Sequence, residues 1–143
     1  TRGMMVTTLY RLAGEPQVEG TATFQDVKSS AYYANAVAWA EANGIAKGID
    51  TGVFAPNAPV TREQAAAFAY RYVTAYLGKT PAPGASLGGF QDAGLVSDYA
   101  AESLSWAHAA GLMVGYGDGF LGPKDTVTRA QMAKLLTLLA QNF

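Results

Sequence analysis

The chain repeats itself, and the repeat narrows the folds open to it more than any other feature. Phe24-Gln25-Asp26-Val27 returns 66 residues later as Phe90-Gln91-Asp92-Ala93. Trp39-Ala40 returns as Trp106-Ala107, Gly44-Ile45 as Gly111-Leu112, Gly48 as Gly115, Pro56 as Pro123 and Thr61-Arg62 as Thr128-Arg129, each 67 residues on. A partial copy opens the chain. Thr1-Arg2 matches Thr61-Arg62, and Leu9-Tyr10-Arg11 stands where Ala69-Tyr70-Arg71 stands. The chain thus starts inside a unit, and its first residue is Thr1 rather than Met. It is read as a processed or excised part of a longer protein.

Each complete unit reads as helix, loop, helix. The first helix is expected from roughly Tyr32 to Asn43, with its copy from roughly Tyr99 to Ala110. Gly44 and Gly111 follow as stop residues. The second helix begins at threonine. Thr61-Arg62-Glu63-Gln64 and Thr128-Arg129-Ala130-Gln131 carry the Thr-x-x-Gln pattern of a capping box, whereas Thr1-Arg2-Gly3-Met4 keeps the cap and loses the glutamine. Apolar stripes follow each cap: Met5, Leu9 and Leu12; Ala65, Phe68 and Tyr72; Met132, Leu135, Leu136 and Leu139. The units span 1–14, 21–78 and 88–143. They are too small to fold alone, and the linkers between them are too short for domain boundaries. The expectation is one all-α domain over 1–143, with the three capped helices packed around a pseudo-threefold axis. The helix of the incomplete first unit is expected to expose apolar surface that a neighbouring chain can cover, which makes a homo-oligomer a candidate.

Composition narrows the function. Ten basic residues stand against eleven acidic ones, for a net charge of -1, so nothing supplies the basic face of a general nucleic-acid binder. There is no cysteine and one histidine, His108, so a zinc site has no ligand set. Asp50, Asp118 and Asp125 lie in glycine-rich loops without the spacing of a calcium loop. No apolar run approaches the roughly 20 residues of a membrane span. Asp26 and Asp92 are equivalent copies, a poor basis for distinct acid and base roles. The sequence calls for no cofactor, no metal, no membrane insertion and no catalysis; a glycan-hydrolase fragment is the weakest of the readings.

Arg2, Arg62 and Arg129 each follow a cap threonine, where the partial positive charge of the helix start disfavours a cation. One reason for three such arginines is an external anion, met by the guanidinium, the hydroxyl and the helix N–H groups. The other is internal: Asp26 or Asp92 pairs with a neighbouring arginine and staples the repeats. Both can hold. Trp39 and Trp106 read first as core anchors, with sugar stacking as the alternative. Tyr32, Tyr33, Tyr99 and Tyr116 are better candidates for exposed sugar contacts. Gly48 and Gly115 either let backbone approach a ligand or only allow the turn.

These motifs together resemble the S-layer homology family. Its pattern is met in order by Phe24-x-Asp26-Val27, Trp39-Ala40, Gly44-Ile45-x-x-Gly48, Phe54-x-Pro56 and Thr61-Arg62-Glu63-Gln64. It is met again by Phe90-x-Asp92, Trp106-Ala107, Gly111-Leu112-x-x-Gly115, Leu121-x-Pro123 and Thr128-Arg129-Ala130-Gln131. The resemblance implies a three-pronged helical spindle at the bacterial cell surface. It also implies non-covalent binding of a secondary cell-wall polysaccharide, often acidic through pyruvate ketals, that anchors a surface or secreted protein. The alternative is a module for self-association within a surface layer. The ligand-binding candidates are Arg2, Arg62, Arg129, Asp26, Asp92, Gly48, Gly115, Tyr32, Tyr99 and Tyr116. Gly3, Ala93 and Leu121 depart from the pattern.

Overall fold

Threonine caps start three of the helices, as the capping pattern requires. In the computed structural model, which describes residues 1–143, these are α1 (Arg2–Leu12), α3 (Arg62–Arg71) and α5 (Arg129–Asn142). Thr61 and Thr128 accept from the N–H of Gln64 and Gln131, and each glutamine accepts from the N–H of its threonine. At the first copy Met4 replaces the glutamine. Its sulfur accepts from the Thr1 amino group at 3.7 Å, so the box closes there as well.

The alanine-rich helices α2 (Ala34–Ala42) and α4 (Ala101–Ala109) are shorter than expected at their starts. A 3₁₀ turn, Asp98–Ala100, takes up the chain ahead of α4. Both helices stop at a glycine in the left-handed region, Gly44 at φ 71° and Gly111 at φ 73°. The N–H of Ile45 and of Leu112 then reaches back to Ala40 and Ala107 and satisfies a carbonyl at each helix end. After α3 the chain widens into a π-helical turn, Tyr72–Tyr76.

The second helix of one unit packs on the first helix of the next: α1 on α2, and α3 on α4. The buried residues Ala36, Ala40 and Ala107 leave room for that close approach. A single apolar cluster of 27 buried residues draws on all three units, from Met5 and Leu9 through Phe54 and Phe68 to Leu135 and Leu139. Trp39 and Trp106 are buried within it, Trp39 against Tyr10 and Tyr76, Trp106 against Tyr70. The fold is all-α, and strand pairing is limited to two isolated bridges, Asp50 with Val53 and Thr61 with Thr126. The capped helices meet one another less than expected. α1 touches α5, but the main packing is between a capped helix and its alanine-rich neighbour. No helix is long and apolar enough to cross a membrane.

Candidate functional site

Each loop is held by the aspartate of its own unit. Asp26 accepts from the N–H of Phe54 at 2.9 Å and of Ala55 at 2.7 Å; Asp92 accepts from Leu121 at 2.9 Å and Gly122 at 2.8 Å. The arginine of the preceding unit then takes the carbonyl of the same loop residue. Arg2 Nε donates to Phe54 O at 2.8 Å, and Arg62 Nε to Leu121 O at 2.9 Å. Aspartate and arginine therefore act across one loop residue, one on its N–H and one on its C=O, and form no direct ion pair. Desolvation opposes the charged form of Asp26 and Asp92. The loop N–H groups, helped by Arg2 and Arg62, outweigh it and hold both carboxyls below the usual aspartate range.

The starts of α1 and α3 are also occupied. The N–H groups of Arg2 and Gly3 donate to Ala58 O and Pro56 O; those of Arg62 and Glu63 donate to Asp125 O and Pro123 O. The next N–H in each helix goes to the cap threonine. The expectation that the helix-start N–H groups stand open to an anion is corrected for α1 and α3, where neighbouring loop carbonyls have filled them; at α5 the N–H groups of Arg129 and Ala130 make no such bond. Anion binding at this site has to rest on side chains.

Gly48 and Gly115 have an internal reason. A Cβ on Gly48 would lie 2.6 Å from Val53 O and 2.8 Å from the Phe24 ring, and Gly48 sits at φ +77°. A Cβ on Gly115 would lie 2.5 Å from the Phe90 ring. The phenylalanine of each Phe-x-Asp segment thus packs against the bare backbone of its own unit's glycine.

The largest cleft, about 540 Å³, lies where the three units meet. Arg2 comes from the first unit, Lys47, Gly48, Phe68 and Arg71 from the second, and Ser97, Tyr99 and Lys124 from the third. Arg2 is 4% exposed, with its guanidinium 4.8 Å from the Phe54 ring centre and 5.2 Å from that of Phe68. Its Nε is bonded, and its Nη groups make no hydrogen bond within the chain. Arg71 makes one, a 3.3 Å contact from Nη1 to Ile45 O. Burial lowers the pKa of both arginines, and the charge of Arg71 lowers that of Arg2 further. Neither they nor Lys47 takes part in an ion pair. The one acid in the cleft, Glu63, is already neutralised. It accepts from Lys124 Nζ at 2.7 Å, Ser97 N–H at 3.0 Å, Ser97 Oγ at 2.7 Å and the Tyr99 hydroxyl at 3.4 Å.

Burial pushes the Glu63 carboxyl up; the bonds from Lys124 and Ser97 outweigh it and hold the group below the usual glutamate range. Glu63, Asp26 and Asp92 all bind their proton more weakly when the chain is folded. Their contribution is fully present above the unfolded pKa values, about 4, and is lost as pH falls through the folded ones. Unfolding free energy measured by denaturant titration should be level from about pH 7 to pH 5 and should decline below about pH 4. Glu63→Gln should flatten part of that decline.

A second cleft repeats the first at about 130 Å³, with Arg62, Val114, Gly115, Tyr116, Gln131, Lys134 and Leu135 in the matching places. Val114 replaces Lys47, and Leu138 stands at the position of Arg71. Arg62 is 4% exposed and donates to Leu121 O and Val114 O. The Tyr116 ring lies 4.7 Å from its guanidinium, and the Tyr116 hydroxyl donates to Asp125. Arg129 is exposed in a third cleft, about 390 Å³, between α1 and α5 beside Met4, Met5, Val127, Met132 and Leu136. Tyr32 is exposed, edge-on to Tyr33, and lines neither of the first two clefts. Of the sequence candidates, Arg2, Gly48 and Tyr99 share the largest cleft. They are joined there by Lys47 and Lys124, which do not recur in the repeats, and by Arg71, which recurs only as Arg11 of the incomplete first unit; for the two lysines only the differences between copies could have pointed to them.

A family model described as S-layer homology domain matches residues 23–66 and 89–133. The chain is 33% identical over 138 residues to the surface-layer 125 kDa protein of Lysinibacillus sphaericus, covering 94% of this chain and 11% of that protein. It is 34% identical over 139 residues to an endoglucanase of Bacillus sp. (strain KSM-635), covering 97% and 14%. An amylopullulanase of Thermoanaerobacterium thermosulfurigenes is 32% identical over 139 residues, covering 95% and 7%. The chain thus spans a small part of each relative, and the enzyme names carry no activity to it. The two family matches fall on the two complete helix–loop–helix units, and the Phe-x-Asp and glycine residues that shape each loop, with Thr61-Arg62 and Thr128-Arg129, lie within them: the chain belongs to the S-layer homology domain family.

Proposed function

We propose that this chain is a non-catalytic module at the bacterial cell surface that anchors a larger protein to the wall by binding an acidic secondary cell-wall polysaccharide. The observation that carries this reading is the cleft over Arg2. Arg2, Lys47, Arg71 and Lys124 line it, and its single carboxylate is already bonded by Lys124 and Ser97. The chain as a whole is at -1, so attraction for an anion is local to that cleft. A carboxylate of the size of a pyruvate ketal can receive paired N–H bonds from the free Nη groups of Arg2, or bonds from the donors that Arg71 leaves unused. Tyr99, 54% exposed, offers a ring face to a sugar. In this reading Asp26, Asp92, Gly48 and Gly115 shape the loops. Arg62, under Tyr116, and Arg129 mark lesser positions of the same kind. A segment shared by a surface-layer protein and by several large enzymes fits a common attachment role better than a common chemistry.

Retention by purified, protein-free cell walls tests the reading. Walls that keep their acidic polysaccharide should hold the chain, and about 0.5 M salt should weaken the hold, because charge attraction is screened within a few ångströms there. Equal retention by walls stripped of that polysaccharide would end the proposal. Self-association, the second reading, has one observation of its own: Met4 and Leu12 are exposed on α1, and Met4 lies in the apolar cleft shared with α5. In the same preparation, light scattering that rises with concentration favours it, and a constant single-chain mass removes it.

A further inference from the structure

Resting on that reading of the Arg2 cleft, we propose that it is the first of two joined sugar subsites, and that the second takes a neutral, hydroxyl-rich residue of the same glycan. A further cavity of about 470 Å³ adjoins the cleft and shares Lys47, Ala67, Arg71 and Tyr99 with it. Beyond those shared residues the lining changes character. It continues over Tyr70, Thr74 and Glu102, and adds no cation.

Glu102 is the new charge. Its Oε1 accepts from the Tyr70 hydroxyl at 2.8 Å, and its Oε2 has no partner within the chain. A half-used carboxylate accepts from sugar hydroxyls, because it brings acceptors and no competing donor. It also repels a second acidic substituent. The acidic residue therefore belongs beside Arg2 and Lys47, and its neighbour beside Glu102. Arg71 stands at the junction with one 3.3 Å bond to Ile45 O, which leaves most of its five N–H donors for the ligand. The half-exposed Tyr99 lines both chambers and is placed to stack on the sugar that passes between them.

This arrangement occurs once in the repeats. At the positions of Tyr70, Arg71 and Thr74 the third unit carries Thr137, Leu138 and Gln141. In the first unit Arg11 is engaged by Glu15 at 3.6 Å, and Gly14 stands at the place of Thr74. Asn35 takes the place of Glu102 in the second unit. The repeats thus form one extended two-residue site in this chain rather than a set of equal ones.

Fragments of one, two and three sugar residues, cut from a purified acidic wall polysaccharide and each ending in the acidic residue, separate the two subsites by calorimetry. The intact chain should bind the one-residue fragment, and the two-residue fragment about tenfold more tightly. A third residue should add little. Ala75→Trp, which fills the second chamber from an exposed position, should abolish the tenfold gain and spare the one-residue affinity. Glu102→Ala should remove most of the gain. Equal affinity for one and two residues in the intact chain would overturn the second subsite and leave the Arg2 cleft standing. A gain that survived both substitutions would place the second sugar elsewhere and overturn it too. Failure of all three fragments to bind the intact chain would sink the anionic-cleft reading itself, and the extension with it.

Discussion

Gly48→Ala should lower the unfolding free energy by about 2–5 kcal/mol. A non-glycine residue held in the left-handed region costs roughly 1–2 kcal/mol, and overpacking a filled site adds about 1–3 kcal/mol. Gly48 meets both conditions. It lies at φ +77°, and the new Cβ would press on Val53 O and the Phe24 ring at 2.6 and 2.8 Å. Neither neighbour can yield freely. Val53 O accepts from the Ile49 N–H, and Phe24 lies in the core. Gly78→Ala supplies the comparison, because Gly78 has φ +65° and nothing within 4 Å of its Cβ. It should cost only the conformational part, about 1 kcal/mol. Denaturant midpoints for the two variants at an unchanged m-value measure the difference. Equal losses would show that the Phe24 and Val53 contacts add nothing.

That contact explains why the repeat was so legible. Phe24 and Gly48 recur together as Phe90 and Gly115 because ring and glycine fill one space. Asp26 recurs as Asp92 because the carboxylate holds the N–H of Phe54 or Leu121, and Arg2 recurs as Arg62 because the guanidinium holds the carbonyl of that same loop residue. The residues that recur are those that fold a unit and join it to the next, so internal identity reveals architecture well. It reveals the cleft poorly. Arg71 faces Leu138 across the repeat, Lys47 faces Val114, and Glu63 faces Ala130. A search for shared residues passes over Lys47 and Glu63, and meets Arg71 only through Arg11 of the incomplete first unit. Two of the three helix starts, those of α1 and α3, misled for a related reason. A capped helix after a loop does suggest open N–H groups, but Pro56, Ala58, Pro123 and Asp125 bring carbonyls to them from a distant segment. Nothing in local sequence announces that approach.

The two arginines that follow from this division should fail in opposite ways. Arg62→Ala removes a buried guanidinium that satisfies Leu121 O and Val114 O and lies against the Tyr116 ring. Unpaired buried acceptors and the space left under the tyrosine should cost about 2–4 kcal/mol. That corresponds to a fall in melting temperature of roughly 10 °C for a chain of this size. The protein that remains folded should keep most of its wall-polysaccharide binding, since the Arg2 cleft is untouched and the Arg62 position is the lesser one. Arg71→Leu, the residue the third unit itself carries at that position, should do the reverse. Arg71 contributes one long hydrogen bond and no ion pair to the fold, and its half-buried charge sits near that of Arg2. Melting should change little. A charge-assisted hydrogen bond to a carboxylate is worth about 1.5–3 kcal/mol, and each 1.4 kcal/mol or so is tenfold in affinity, so binding should weaken by roughly one to two decades. Arg71→Lys should restore part of the loss, because an ammonium keeps the charge without the two-pronged contact. Melting and polysaccharide affinity measured on both variants decide the matter. If Arg62→Ala impaired binding in the folded fraction while Arg71→Leu left it intact, the ligand would sit under Tyr116, and the assignment of the larger cleft would fall.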